Sequence, residues 1–365
     1  MRNYENEFEK SEQNKKKSGK IVVIIAVVVL LLGAAFLLAR FLWKSNQTPG
    51  QHGGEGVVTL NPDIYGNTFA ETDDKGNTKY YYTDDSGNQY EVPVAPGELE
   101  RKPGVYTFLL TGLDDSESRT DVIMIATYDT AAQSISIMSI PRDTYSMANN
   151  RSSGLKHINL AYSFGGGMDA LLYEVYNLVG FYPDYYVTVD MDGFVEIINY
   201  IGGVYFNVPQ DMYYNDNSQN LHIAIGAGYQ WLSGAQALQV CRFRSGYVDA
   251  DIGRIRTRDA FLKATAEQLL DGATVVRAAE IAGTVYDNVS TNIKKTDLVW
   301  FAKNAVSMST DNIVFVTFPG GPAYDSGMWI PYRNALLEAV NTYFNPYTSD
   351  IETINVVQRS ENYGK

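Results

Sequence analysis

The chain has 365 residues, 45% of them hydrophobic, enough for one large domain with accessories or for two domains. Its formal net charge of −13 excludes a broad nucleic-acid-binding surface, so an anionic ligand needs a local cluster drawn from the 29 basic residues. A single cysteine excludes an intrachain disulfide, and His52, His157 and His222 are too scattered for a His-rich metal centre.

In chain order, the first element is the uncharged run IVVIIAVVVLLLGAAFLLA at 21–39. About 20 apolar residues in helical rise cross a bilayer core. Lys15, Lys16, Lys17 and Lys20 precede the run, and Lys-rich flanks stay cytoplasmic. The sequence therefore predicts a cytoplasmic tail at 1–20, a single-pass transmembrane signal anchor at 21–43, and everything beyond it outside the cell membrane. The alternative, a cleaved signal peptide, has an apolar region of roughly 7–15 residues before small residues. Here Arg40, Phe41, Leu42, Trp43 and Lys44 follow, which favours an uncleaved anchor.

Residues 44–100 read as an extracellular linker. Its start, 45–60, is rich in Gly, Gln, Asn and Thr. Then TDDKGN at 72–77 is echoed by TDDSGN at 83–88, each followed by tyrosine. Asp, Gly and Asn make turns, whereas Tyr, Thr and Val favour strands, so 64–94 reads as one or two β-hairpins. The carboxylates lack the spacing of an EF-hand loop.

Beyond 100, β-branched runs at 105–112, 121–128 and 134–140 have strand length. Helical periodicity follows at 167–179 and 193–201, with strands at 185–189 and 204–208. Helices are expected near 250–272, 274–286 and 295–307, a strand at 313–318, and a helix at 331–344 with Pro331 in its first turn. This alternation predicts an α/β domain at 101–350, a mixed central sheet flanked by helices, with a short tail at 351–365.

Two carboxylates sit near strand ends. LLTGLD ends its strand and presents Asp114; RTD opens the next with Asp121. Such a pair suits Mg²⁺, although Asp and Ser in this stretch also make an ordinary turn. Arginines recur at strand edges. Pro141 ends a strand in SIPRD and sends Arg142 out at the rim. Arg242-Phe243-Arg244, read as extended, puts two guanidinium groups on one face with Phe243 inward, a pattern suited to polyphosphate. On a helix, Asp251, Arg254 and Arg258 share a face. Each arginine alone is as well explained as solvated surface. The apolar sets around Phe194 and Leu171 read as core, although a prenyl chain needs a similar lining. No Gly-x-Ser-x-Gly elbow or Walker loop occurs, and Cys241 reads as a buried structural thiol.

The order of these blocks resembles the LytR-CpsA-Psr family: LLTGLD at 109–114, RTD at 119–121, SIPRD at 139–143, INLAYSFGG at 158–166, DGFVEIINYIGGVYFNVP at 192–209, LSGAQALQVCRFR at 232–244 and DIGRIRTRD at 251–259. The resemblance implies an αβα sandwich and a phosphotransferase that moves a polyprenyl-pyrophosphate-linked glycan donor, such as teichoic acid or capsule, onto a peptidoglycan acceptor. It implies Mg²⁺ at Asp114 and Asp121, pyrophosphate contacts from Arg119, Arg142, Arg242, Arg244 and Arg254, and catalytic roles for Arg142, Asp121 and Asp251. The family commonly has lysine directly before Ile-Asn. Here His157 holds that place and Lys156 precedes it, so Lys156 is the expected phosphate contact. The alternatives are hydrolysis of the same pyrophosphate and a non-catalytic lipid-glycan-binding regulator of wall assembly.

Overall fold

The structure, a computed structural model, describes the strands within 68–92, then 99–114, 119–146, 157–163, 167–217, 221–247 and 251–269, and with short interruptions 286–323 and 327–356. The expected tail and anchor at 1–43, Lys156 and nearly all of the helix expected at 274–286 lie outside the described residues. In chain order the elements are β1 (Thr68–Thr72), β2 (Thr78–Thr83), β3 (Gln89–Val92), β4 (Val105–Leu113), β5 (Thr120–Asp129), β6 (Ser134–Ser139), α1 (Gly167–Val179), β7 (Tyr185–Val189), α2 (Met191–Tyr200), β8 (Val204–Val208), β9 (Met212–Asp216), β10 (Leu221–Ile225), β11 (Gly228–Leu232), α3 (Gly234–Arg242), α4 (Asp251–Leu269), β12 (Val289–Thr291), β13 (Ile313–Val316), β14 (Gly320–Ala323), β15 (Met328–Pro331) and α5 (Arg333–Tyr343).

The tyrosine-rich repeat is a three-stranded antiparallel sheet in the order β1-β2-β3, pairing Ala70 with Tyr80 and Tyr82 with Tyr90. The described chain, this sheet included, divides between two compact units.

One unit holds β1–β5, most of β6, α1, β7 and the chain from 315. Its strands run β7-β4-β5-β6, with β4 antiparallel to β5 and parallel to β7, so the sheet is mixed. The first seven residues of β4 are buried, the pattern of a strand covered on both faces. Leu109, Ile125 and Met138 of the sheet share a core with Leu171 and Val175 of α1 and with Leu336 and Val340 of α5. Positions 171, 175 and 178 recur at helical spacing, which is why α1 buries one apolar stripe there. Each such side chain, fully buried, contributes about 1.5–3 kcal/mol. Asp184, just before β7, fixes the start of β4. Its carboxylate accepts from the Thr107 N–H and hydroxyl, both at 2.8 Å, and pairs with Arg101. The C-terminal helix starts later than expected. Pro331 ends β15, where a missing N–H costs nothing, and α5 begins at Arg333.

The other unit holds α2, β8–β11, α3 and α4. Its four strands make two antiparallel pairs, β8 with β11 and β9 with β10, that follow one another along a two-stranded ribbon with an irregular junction. Val208 pairs with Gly228 and Met212 with Ile225, so three residues on one side of the junction face two on the other. That is a bulge, and the Asp211 carboxylate clasps it by accepting the Ala227 N–H at 2.8 Å. Val204, Phe206, Val208 and Met212 alternate inward, and Phe206 meets Phe261 of α4 edge-on at 5.5 Å. Ser233 and Gln236 form a capping box that starts α3. Gly234 must be glycine, because a Cβ there would strike the Val195 carbonyl of α2.

Candidate functional site

The acidic pair lies at one rim of the mixed sheet. Gly112 pairs with Val122 and Leu113 with Thr120, so Asp121 is the residue left over in a β-bulge. A bulge re-aims its side chain out of the ladder's alternation. Asp121 Oδ1 accepts from Arg142 Nη1 at 2.8 Å. Arg142 leaves β6 through a turn held by its neighbours. The Ile140 N–H bonds the Ile123 carbonyl, Pro141 is buried, and the Asn159 N–H bonds the Arg142 carbonyl at 3.2 Å. Asp143 continues the row, with Oδ2 3.7 Å from Arg142 Nε and Oδ1 2.9 Å from His157 Nδ1. Asp121, Arg142, Asp143 and His157 thus alternate in sign or polarity along the rim. The Arg142 and Asp121 side chains keep 23% and 27% of their surface, so both reach solvent. A pair this exposed contributes only about 0–1 kcal/mol to stability. Its placement therefore needs a reason other than holding the fold.

Asp114 and Arg119 face each other across the loop between β4 and β5. The Asp114 N–H bonds the Arg119 carbonyl at 2.9 Å, and Asp114 Oδ1 accepts the Arg119 N–H at 3.1 Å. The carboxylate thereby ties residue 114 to residue 119, which stays exposed.

In the other unit, Arg242 and Arg244 do not sit on one extended strand. Arg242 is the last residue of α3, and only at Phe243 does the backbone turn extended, at φ −64 and ψ 128. Phe243 is buried as expected, its ring edge-on to Tyr247 at 5.7 Å, and residue 244 is exposed. Asp251 opens α4; its side chain lies outside the described residues, as does Lys156.

Arg254 and Arg258, one turn apart on α4, are 4% and 6% exposed. Arginine stays protonated, and burying a charge is costly unless it is paired. The Arg258 Nε is buried without a hydrogen-bond partner. Both guanidinium groups act on Cys241. The residue is partly buried, and burial pushes the thiol up to about 12 although Arg258 and Arg254 pull it down. Arg258, which the sequence places on one helix face with Asp251 and Arg254, joins the site candidates by its burial. Its signal was the four-residue spacing from Arg254. Asp143 and His157 were passed over, because their pairing joins two separate motifs.

The described residues hold no group of three or more His, Cys, Asp or Glu side chains that would cage a metal. Asp114 and Asp121, hard oxygen donors at the same rim, nonetheless fit Mg²⁺, which is typically held by one or two carboxylates together with substrate phosphates and water.

Comparison with known proteins finds relatives of the chain. The LytR_cpsA_psr family model matches residues 68–354. The chain is 28% identical over 276 residues to the polyisoprenyl-teichoic acid–peptidoglycan teichoic acid transferase TagV of Bacillus subtilis, covering 73% of this chain and 67% of TagV. It is 31% identical over 211 residues to the regulatory protein MsrR of Staphylococcus aureus, covering 56% of this chain and 60% of MsrR. The TagV crystal structure superposes with a TM-score of 0.56 over 66% of this chain and 95% of that one. The structure of TagT bound to LI-WTA, 20% identical, shares the fold with a TM-score of 0.51, covering 71% of this chain and 100% of that one.

Proposed function

The chain belongs to the LytR-CpsA-Psr family, and from that premise we propose that it is a phosphotransferase attaching a polyprenyl-pyrophosphate-linked glycopolymer to peptidoglycan. The observation that carries the reading is the solvent-reaching Arg142–Asp121 pair at 2.8 Å, beside Asp114 and Arg119 on the same sheet rim. TagV, named as a teichoic acid transferase, supports it.

Phosphoryl transfer asks a protein chiefly for positioning and charge neutralisation. Arg119 and Arg142 bind the donor's pyrophosphate and stabilise charge as it builds on the phosphates. Arg242, Arg244, Arg254 and Lys156 are proposed as further phosphate contacts from their motif positions. A sugar hydroxyl of peptidoglycan attacks the phosphorus beside the glycan. The new P–O bond forms, the bond to the polyprenyl phosphate breaks, and that phosphate leaves. A carboxylate, Asp121 or Asp251, takes the hydroxyl proton, because arginine cannot. Asp114 and Asp121 would hold Mg²⁺, which when bound supplies further neutralisation of the pyrophosphate. We also propose that 21–43 anchors the chain in the cell membrane, with the catalytic domain outside. Incubating the full chain with lipid-linked saccharide, Mg²⁺ and peptidoglycan tests the reading. A phosphodiester-linked saccharide on the glycan strand supports it; free phospho-sugar as the sole product replaces it with hydrolysis.

A further inference from the structure

The outward face of the β8–β11 ribbon is aromatic. Tyr205 is 52% exposed, Tyr229 74% and Trp231 47%, and Tyr213 on β9 is exposed as well. The register sets Tyr205 opposite Trp231 and Asn207 opposite Tyr229. The Tyr205 and Tyr229 rings stack at 5.9 Å and 18°.

These rings are held in place. Trp231 Nε1 donates to the Gly202 carbonyl at 2.9 Å. The indole lies over Gly203, where any Cβ would overlap it and where φ is +76. Gln268 of α4 bonds the Gly203 carbonyl and accepts the Tyr205 N–H at 3.0 Å. Backbone and helix thus position the platform while its other face meets solvent. Contiguous exposed aromatic surface usually marks a binding face.

The charge on this segment narrows the occupant. Residues 204–232 contain no lysine or arginine, and their only acidic residues are Asp211 and Asp216. Nucleic acid and anionic lipid surfaces are held by cations, so neither suits this face. Flat rings with hydroxyl, indole and amide groups between them suit the C–H faces and hydroxyls of pyranose rings. Each strand pair is five residues long, about 16 Å at strand rise, which suits a short run of a linear polymer.

We propose that this face is a docking platform for a glycan strand of peptidoglycan, gripped by sugar rings stacking on Tyr205, Tyr229 and Trp231. That the strand is the reaction's acceptor rests on the transferase reading; that the face binds glycan does not.

The test is co-sedimentation of the full chain, in detergent micelles, with peptidoglycan sacculi stripped of secondary polymers. Two stacking contacts are worth roughly tenfold in affinity, so Tyr205→Ala/Tyr229→Ala weakens sedimentation by about that factor. Gly203→Ala, which displaces the indole without deleting a ring, also weakens it. If the double variant melts early, Tyr229→Ala alone gives the same readout, since its ring leaves the core untouched. Unchanged sedimentation of Tyr229→Ala overturns the proposal. So does loss of binding to phosphatidylglycerol vesicles with sacculus binding intact, which would make the stripe a membrane belt. Transfer to a short soluble acceptor is measured in parallel. Normal transfer with unchanged sedimentation sinks the platform alone, whereas absent transfer by the unmodified chain sinks the transferase reading alone.

Discussion

Arg142 reaches across the sheet rim to Asp121, Nη1 to Oδ1 at 2.8 Å, and ties the turn after β6 to the bulge in β5. Removing the guanidinium separates function from folding, because the pair keeps about a quarter of its surface in water. Arg142→Ala should melt within about 1 kcal/mol of the unmodified chain, yet lose on the order of 10²–10³-fold in transfer rate, the usual loss for one preorganised charge contact. Thermal melts and initial rates on the same preparations check both halves.

Metal use should follow the two rim carboxylates. Chelation with EDTA should abolish transfer, and Mg²⁺ should restore it. Asp114→Ala should raise the Mg²⁺ concentration needed for half-maximal rate, read from a titration at fixed donor. An unchanged Mg²⁺ dependence in that variant would remove Asp114 from the metal set.

Asp184 carries a structural load instead. It is fully buried, accepts two bonds from Thr107 and pairs with Arg101. Asp184→Ala strands a buried guanidinium and should cost about 3–5 kcal/mol in denaturant unfolding. A loss below 1 kcal/mol would mean that water or another carboxylate replaces it.

Cys241 should be chemically silent. With its thiol pushed up to about 12 by burial, roughly one molecule in 10⁴ is thiolate at pH 8, and the thiolate is the reactive form. Iodoacetamide should label the denatured chain and spare the native one. Because the folded value is raised, the thiol's contribution to stability is whole below the ordinary value of 9.0 and is lost as pH rises towards about 12. Rapid native labelling at pH 8 would contradict the raised thiol value.

The mixed sheet was legible because its strands are short apolar runs with clear ends: Pro141 stops β6 and Gly112 precedes the β4 terminus. The ribbon beyond β8 was not. DMYYNDNSQN reads as loop chemistry, and its alternation acquires meaning only when Met212 finds Ile225 across the bulge. Arg242 was misplaced for a related reason. CRFR alone looks extended, but the capping box at Ser233 starts a helix that runs through Arg242 before Phe243 turns away. The Asp143–His157 contact joins residues fourteen apart through the fold, and no local pattern encodes that.

Phosphoryl transfer at the Asp121–Arg142 rim leaves a covalent product. Its most direct test is mass spectrometry of peptidoglycan after incubation with the full chain, Mg²⁺ and a polyprenyl-pyrophosphate-linked saccharide. The account predicts a phosphodiester-linked saccharide on the glycan strand and release of polyprenyl phosphate, both lost in Asp121→Ala. Transfer that persists undiminished in Asp121→Ala, or tight lipid retention with no turnover by the unmodified chain, would contradict it.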